Sequence, residues 1–95
     1  MPLLSDEEIA REMQSVPDWT REGDAIRRTA ELSTFPAAIA FVNRVAEAAE
    51  EADHHPDIDI RYKKVRLELS THSAGGLTGK DFALAQRIDH MLEDA

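Results

Sequence analysis

The run Asp57-Ile58-Asp59-Ile60-Arg61-Tyr62-Lys63-Lys64-Val65-Arg66-Leu67-Glu68-Leu69-Ser70-Thr71-His72 decides the fold. Ile58, Ile60 and Tyr62 alternate with Asp57, Asp59 and Arg61, and Val65, Leu67, Leu69 and Thr71 alternate with Arg66, Glu68, Ser70 and His72. A period of two places one set of side chains on a core and the other in water. Two such runs joined near Lys63-Lys64 predict an antiparallel hairpin.

Upstream of the hairpin the period changes. Phe35, Ile39, Val42, Ala46 and Ala49 recur every three to four residues, and Phe41, Val45, Ala48 and Ala52 widen the stripe. That pattern predicts an amphipathic helix to about Ala52, capped by Ser33 or Thr34, with Pro36 in its first turn. Its alanines (Ala37, Ala38, Ala40, Ala46, Ala48, Ala49, Ala52) suit either close packing between subunits or a helix lying on a sheet. Further back, Ser5 and Glu8 form a capping box for a short helix over about 6–14 that buries Ile9 and Met13, and Pro17 stops it. Trp19 to Arg21 and Ala25 to Leu32 read as a first pair of strands around Glu22-Gly23-Asp24. Downstream, Ser73-Ala74-Gly75-Gly76 is a loop. Thr78 caps a last helix with Asp81 at N3 and Phe82, Ala85, Ile88 and Met91/Leu92 inward. The expected fold is α+β in two layers, a four-stranded antiparallel sheet with three helices on one face, in the order α-β-β-α-β-β-α. A single domain over residues 1–95 is expected.

Composition narrows the function. The chain has 95 residues, 11 basic and 19 acidic, for a formal charge of −8. A domain of this size buries roughly 60–65% of its unfolded surface, so association would help it. The acidic balance argues against nucleic acid or an anionic membrane as partner. Cysteine is absent, which excludes thiolate chemistry and disulfides. The acidic start Met1-Pro2-Leu3-Leu4-Ser5-Asp6-Glu7-Glu8 has no signal-peptide character, and a cytoplasmic location is expected.

Three of the four histidines, His54, His55 and His72, fall between Glu50 and Asp81. Pro56 pushes His55 out of helical geometry, so the adjacent pair need not point the same way. If the last helical turn persists, Glu50 lies one turn below His54 and accepts from its ring. Separately, each residue has an ordinary use: imidazolium at a helix C-terminus, Asp81 in a Thr-x-x-Asp cap, His72 at a strand end. Together, three imidazoles and a carboxylate suit zinc, although adjacent histidines are awkward co-ligands. With no His-Glu-x-x-His or similar spacing, they better suit metal-free general acid/base chemistry on a small polar substrate. With no evident nucleophile, addition, elimination or isomerisation ranks above acyl transfer.

The spacing Glu50-x3-His54-His55-Pro56-x5-Tyr62-x9-His72-x8-Asp81 resembles the signature of the pterin-4a-carbinolamine dehydratases, also called 4a-hydroxytetrahydrobiopterin dehydratases. Val16-Pro17-Asp18-Trp19, Ala25-Ile26-Arg27-Arg28, the Phe35 to Glu50 helix, Leu69-Ser70-Thr71-His72 and Gly76-Leu77-Thr78 extend the likeness over about residues 5–92. The resemblance implies loss of water from 4a-hydroxytetrahydropterin to give quinonoid dihydropterin, with no metal or redox cofactor and a functional link to an aromatic amino acid hydroxylase. It implies His54, His55 and His72 as catalytic imidazoles, with His54 and His72 serving the leaving hydroxyl and His55 positioning the pterin. Glu50 and Asp81 would support them. Pro56, Thr71, Ser73, Ala74 and Trp19 would join the histidines in touching substrate, although Trp19 equally suits a core anchor. Ser73 departs from members that carry an acidic residue there. The family forms dimers and tetramers, so a homodimer or homotetramer is expected. Some relatives have lost the histidines and act as binding proteins, and a vertebrate member also serves as a dimerisation cofactor. The alternative is therefore a non-catalytic interaction module on the same fold.

Overall fold

The computed structural model describes residues 2–94. It contains α1 (Asp6–Met13), β1 (Thr20–Glu22), β2 (Ala25–Glu31), α2 (Phe35–Ala52), β3 (Asp57–Arg61), β4 (Lys64–Leu69), a short 3-10 turn (His72–Ala74) and α3 (Gly79–Glu93). The strands form one antiparallel sheet in the order β1-β2-β4-β3. This is the expected α+β architecture and element order.

Local chemistry sets the boundaries. The Ser5 hydroxyl accepts the Glu8 N–H while the Glu8 carboxylate accepts the Ser5 N–H, which closes the start of α1. Thr34, rather than Ser33, caps α2 by accepting the Ala37 N–H. Thr78 and Asp81 form the box at the start of α3. The hairpin of β3 and β4 pairs Ile58 with Leu67 and Ile60 with Val65, so the alternation read from the sequence is the register.

Val65, Leu67 and Leu69 of β4 and Ile26 and Ala30 of β2 are buried with Phe41, Val45, Phe82, Leu84 and Ile88 from the helices. At about 25 cal/mol per Å2 of apolar surface, each fully buried Leu, Ile or Phe contributes about 1.5–3 kcal/mol. The apolar stripe of α2 is rotated from its expected centre. Ala38, Phe41, Val45, Ala48 and Ala49 are buried, whereas Phe35 is 47% exposed and Ala46 lies in solvent. A helix apolar on more than half its circumference has no unique inner face, and the face buried here is the one through Ala38, Phe41, Val45 and Ala48. Edge strand β3 is likewise open, with Ile58 36%, Ile60 38% and Tyr62 71% exposed. No helix among the described residues is long and apolar enough to cross a membrane.

Candidate active site

The end of α2 is the first determinant. Asp53 adopts a left-handed conformation (φ 49, ψ 46); its N–H donates to Glu50 O, and the His54 N–H donates to Ala49 O at 3.0 Å. These two bonds are a Schellman ending, which turns the chain sharply and aims His54 inward. The hairpin register is the second determinant. Asp57 pairs with Glu68, so continuing the ladder by three residues sets His54 opposite Thr71. The Thr71–Gly76 bridge and the left-handed Gly75 (φ 80) then close a tight loop that returns the chain to α3. His54, Thr71 and the first turn of α3 therefore meet at one end of the sheet.

There the side chains form a buried network. His54 Nε2 lies 2.6 Å from Asp81 Oδ1. Asp81 Oδ2 accepts the Thr71 hydroxyl at 2.9 Å and the Thr78 N–H at 2.9 Å. Asp81 and Thr78 are fully buried, with Thr71 at 6% and His54 at 7% exposure. A carboxylate that accepts at both oxygens makes Nε2 the protonated nitrogen of His54 and leaves Nδ1 with a lone pair. Among the described residues no buried side-chain nitrogen or oxygen lacks a partner. Nδ1 makes no hydrogen bond with any described residue. The result is an imidazole held from behind at Nε2, with its basic nitrogen uncommitted within the protein.

Glu50 does not serve His54, contrary to the expectation from helical spacing. Its Oε2 lies 2.5 Å from Nε2 of His55, and both side chains are exposed. The left-handed Asp53 breaks the i,i+4 relation on which that expectation rested, and carries His55 back over the helix end instead. Pro56, half-buried, leads directly into β3. His72 follows Thr71, but points outward with no side-chain partner among the described residues. With Asp24, Ala25, Glu68, Ser70 and Gly75 it lines a depression of about 290 Å3. Ser73 and Ala74 complete the 3-10 turn beside it.

Two residues of the sequence pattern lie elsewhere in the protomer. Trp19 is 2% exposed, and its indole N–H donates to Asp89 at 2.8 Å. Asp89 is eight residues beyond Asp81 on α3, about 12 Å along the helix. Trp19 is thus a core anchor here, set by a partner 70 residues away. Tyr62 sits at the tip of the hairpin, the length of β3 (about 20 Å) from Pro56. Conversely, the Thr78 hydroxyl belongs to the network, 2.8 Å from Thr71 Oγ1. Its Thr-x-x-Asp box announced a helix cap, and nothing in the spacing announced this second contact. Among the described residues no group of three or more His, Asp or Glu side chains is placed to share a metal ion.

The family model for pterin 4 alpha carbinolamine dehydratase matches residues 2–91. A Nocardia farcinica protein whose name assigns it to pterin-4-alpha-carbinolamine dehydratase is 65% identical over 89 residues, covering 94% of each chain. A Chloroflexus aurantiacus protein with the same assignment is 61% identical over 92 residues, covering 97% of this chain and 99% of its own. Among solved structures, a transcriptional coactivator/pterin dehydratase from Brucella melitensis superposes with a TM-score of 0.91 at 28% identity, covering 94% of this chain and 97% of that one. A pterin dehydratase-like RuBisCO assembly factor of the alpha-carboxysome shares the fold at a TM-score of 0.64 and 20% identity, over 78% of this chain and 86% of its own. This chain belongs to the pterin-4-alpha-carbinolamine dehydratase family, and its reaction class is that of a hydro-lyase.

Proposed function

We propose that the protein dehydrates 4a-hydroxytetrahydrobiopterin to quinonoid dihydropterin by metal-free histidine acid/base catalysis, in the recycling of tetrahydrobiopterin. The elimination breaks the C4a–O bond. The hydroxyl departs as water with a proton from an acid, and a ring nitrogen surrenders its proton to a base. The observation that carries this reading is the His54–Asp81 pair. A carboxylate fixes Nε2–H, so Nδ1 is the free base, and the imidazolium formed on protonation is balanced by Asp81. His72, exposed and unpaired, supplies the complementary acid at the leaving hydroxyl. His55, braced by Glu50, positions the pterin beside Pro56, with the loop at Ser73 and Ala74 as the opposite edge. The reaction runs in the cytoplasm, and it serves an aromatic amino acid hydroxylase that makes the carbinolamine. The exposed apolar side of α2 (Phe35, Ala46) and of β3 (Ile58, Ile60) supports a homodimer or homotetramer.

The test is dehydration of enzymatically generated 4a-hydroxytetrahydropterin, followed by ultraviolet absorbance. Acceleration unaffected by chelator, with losses of about 100-fold or more in His54→Ala and His72→Ala, is the expected result. Chelator-sensitive turnover would replace the metal-free mechanism. A folded protein without activity would leave the second reading, an interaction module, which the same exposed apolar face favours.

A further inference from the structure

The hydroxyls of Thr71 and Thr78 have a definite direction. Each threonine has one hydroxyl proton. Thr71 donates its proton to Asp81 Oδ2 at 2.9 Å, an acceptor with no proton to return. In the 2.8 Å contact between the two hydroxyls, Thr78 must therefore be the donor and Thr71 the acceptor. The Thr78 oxygen in turn accepts the Lys80 N–H at 3.3 Å. The chain of donors runs from the Lys80 amide through Thr78 and Thr71 to Asp81, where it meets His54 from the opposite side. All four side chains are buried, so water does not substitute for a missing member.

We infer that Thr71 and Thr78 are positioning residues for the reaction: their hydroxyl relay holds Asp81 as a double acceptor and thereby selects the Nε2–H tautomer of His54. The inference rests on the reading of His54 as the base. It also gives Thr71, expected at the substrate, a different job, since its buried side chain is engaged with Asp81 and Thr78. Without the relay Asp81 Oδ2 keeps only the Thr78 N–H. The carboxylate is then held at Oδ2 by one donor instead of two, and the restraint that decides which His54 nitrogen carries the proton is weakened. Thr71 separates this role from helix capping, because its hydroxyl caps no helix.

The experiment records the imidazole nitrogen shifts of His54 in 15N-labelled protein, alongside kcat and KM for dehydration. Wild type should show a protonated Nε2 and an unprotonated Nδ1 in the neutral ring. In Thr71→Val the two nitrogens should move toward averaged values, and kcat should fall on the order of 10-fold with KM within about 2-fold. Thr71→Ser should restore both. Thr78→Val should shift them in the same direction by less, since Thr71 can still donate, and Thr78→Ser should restore them. Wild-type His54 shifts in folded Thr71→Val overturn the inference. Should Thr71→Val fail to fold, unchanged shifts in Thr78→Val overturn it instead. Shifted nitrogens in a protein without dehydratase activity would support the relay and refute only the assigned reaction.

Discussion

The imidazole of His54 and the carboxylate of Asp81, 27 residues apart in sequence, meet at 2.6 Å with Asp81 wholly removed from solvent. Three donors converge on this one carboxylate: the His54 ring, the Thr71 hydroxyl and the Thr78 amide. Asp81 is therefore both a helix cap and a tautomer lock, and substitutions separate the two roles.

Asp81→Asn keeps the shape but puts an amide where one acceptor stood. If the oxygen remains toward Thr71 and Thr78, the NH2 faces His54 and forces Nε2 to accept, moving the ring proton to Nδ1. Dehydration should fall by about 100-fold or more with the circular dichroism retained. Asp81→Ala instead strands three buried donors and should cost about 3–5 kcal/mol in urea unfolding. Full activity in the Asn variant would show that the tautomer is not what the site requires.

The His55–Glu50 pair should behave differently, because both partners are exposed. Glu50→Gln should change stability by less than about 1 kcal/mol. His55→Ala should raise KM several-fold while leaving kcat far closer to wild type than His54→Ala does. Urea unfolding of Glu50→Gln and steady-state kinetics of His55→Ala and His54→Ala decide this, and a kcat loss in His55→Ala equal to that of His54→Ala would make His55 a proton-transfer residue.

These contrasts mark what the sequence could convey. Strand alternation from Asp57 to Leu69, the Ser5/Glu8 and Thr78/Asp81 boxes and the α2 limits were legible, because each depends on residues within a few positions. The partner of Glu50 was not, because a single left-handed residue, Asp53, redirects the chain after the helix. Aspartate adopts that conformation at a modest cost that no periodicity reveals. For Trp19 the sequence left two readings, beside the substrate by resemblance or a core anchor, and its burial against Asp89 depends on a contact between distant segments that no local pattern announces. The phase of α2 was ambiguous because its small residues run nearly all the way round.

Gly75 and Gly76 should respond differently to alanine. Gly75 sits at φ 80 with open space around a new Cβ, so Gly75→Ala is penalised by backbone conformation alone, about 1–2 kcal/mol. The loop holding His72 should loosen, visible as faster amide exchange over 71–76 and reduced kcat. At Gly76 the added Cβ would press on the tip of Leu3 at 3.1 Å, a flexible side chain, and otherwise make ordinary contact with the Asp24 carboxylate at 3.6 Å. Gly76→Ala should be milder, and the reverse ranking would contradict the loop geometry.

At the opposite end of α3, Asp89 accepts from both the Trp19 indole at 2.8 Å and Arg28 at 2.6 Å, all three largely buried. Asp89→Ala leaves the indole N–H without its acceptor and the Arg28 guanidinium with only the exposed Asp18 at 3.6 Å, and should destabilise by about 2–4 kcal/mol. Activity per folded molecule should be unchanged. A stable but inactive variant would return Trp19 and its neighbours to the active site.

The capping box of α1 gives a pH dependence whose sign is fixed. The Ser5 backbone N–H, then the Ser5 hydroxyl, hold the Glu8 carboxyl below its ordinary value of 4.5. A group whose pKa is depressed on folding contributes stability above its unfolded pKa, and that contribution disappears as pH falls through the folded value. Glu8→Gln retains a capping acceptor without charge, so comparing it with wild type isolates the ionised form. Wild type should be the more stable at pH 6–7, and the difference should shrink below about pH 4.5 and vanish in stronger acid. Urea titrations of both proteins across this range measure it. A difference that stayed constant with pH would mean that Glu8 acts through shape alone and that its charge plays no part in closing the helix.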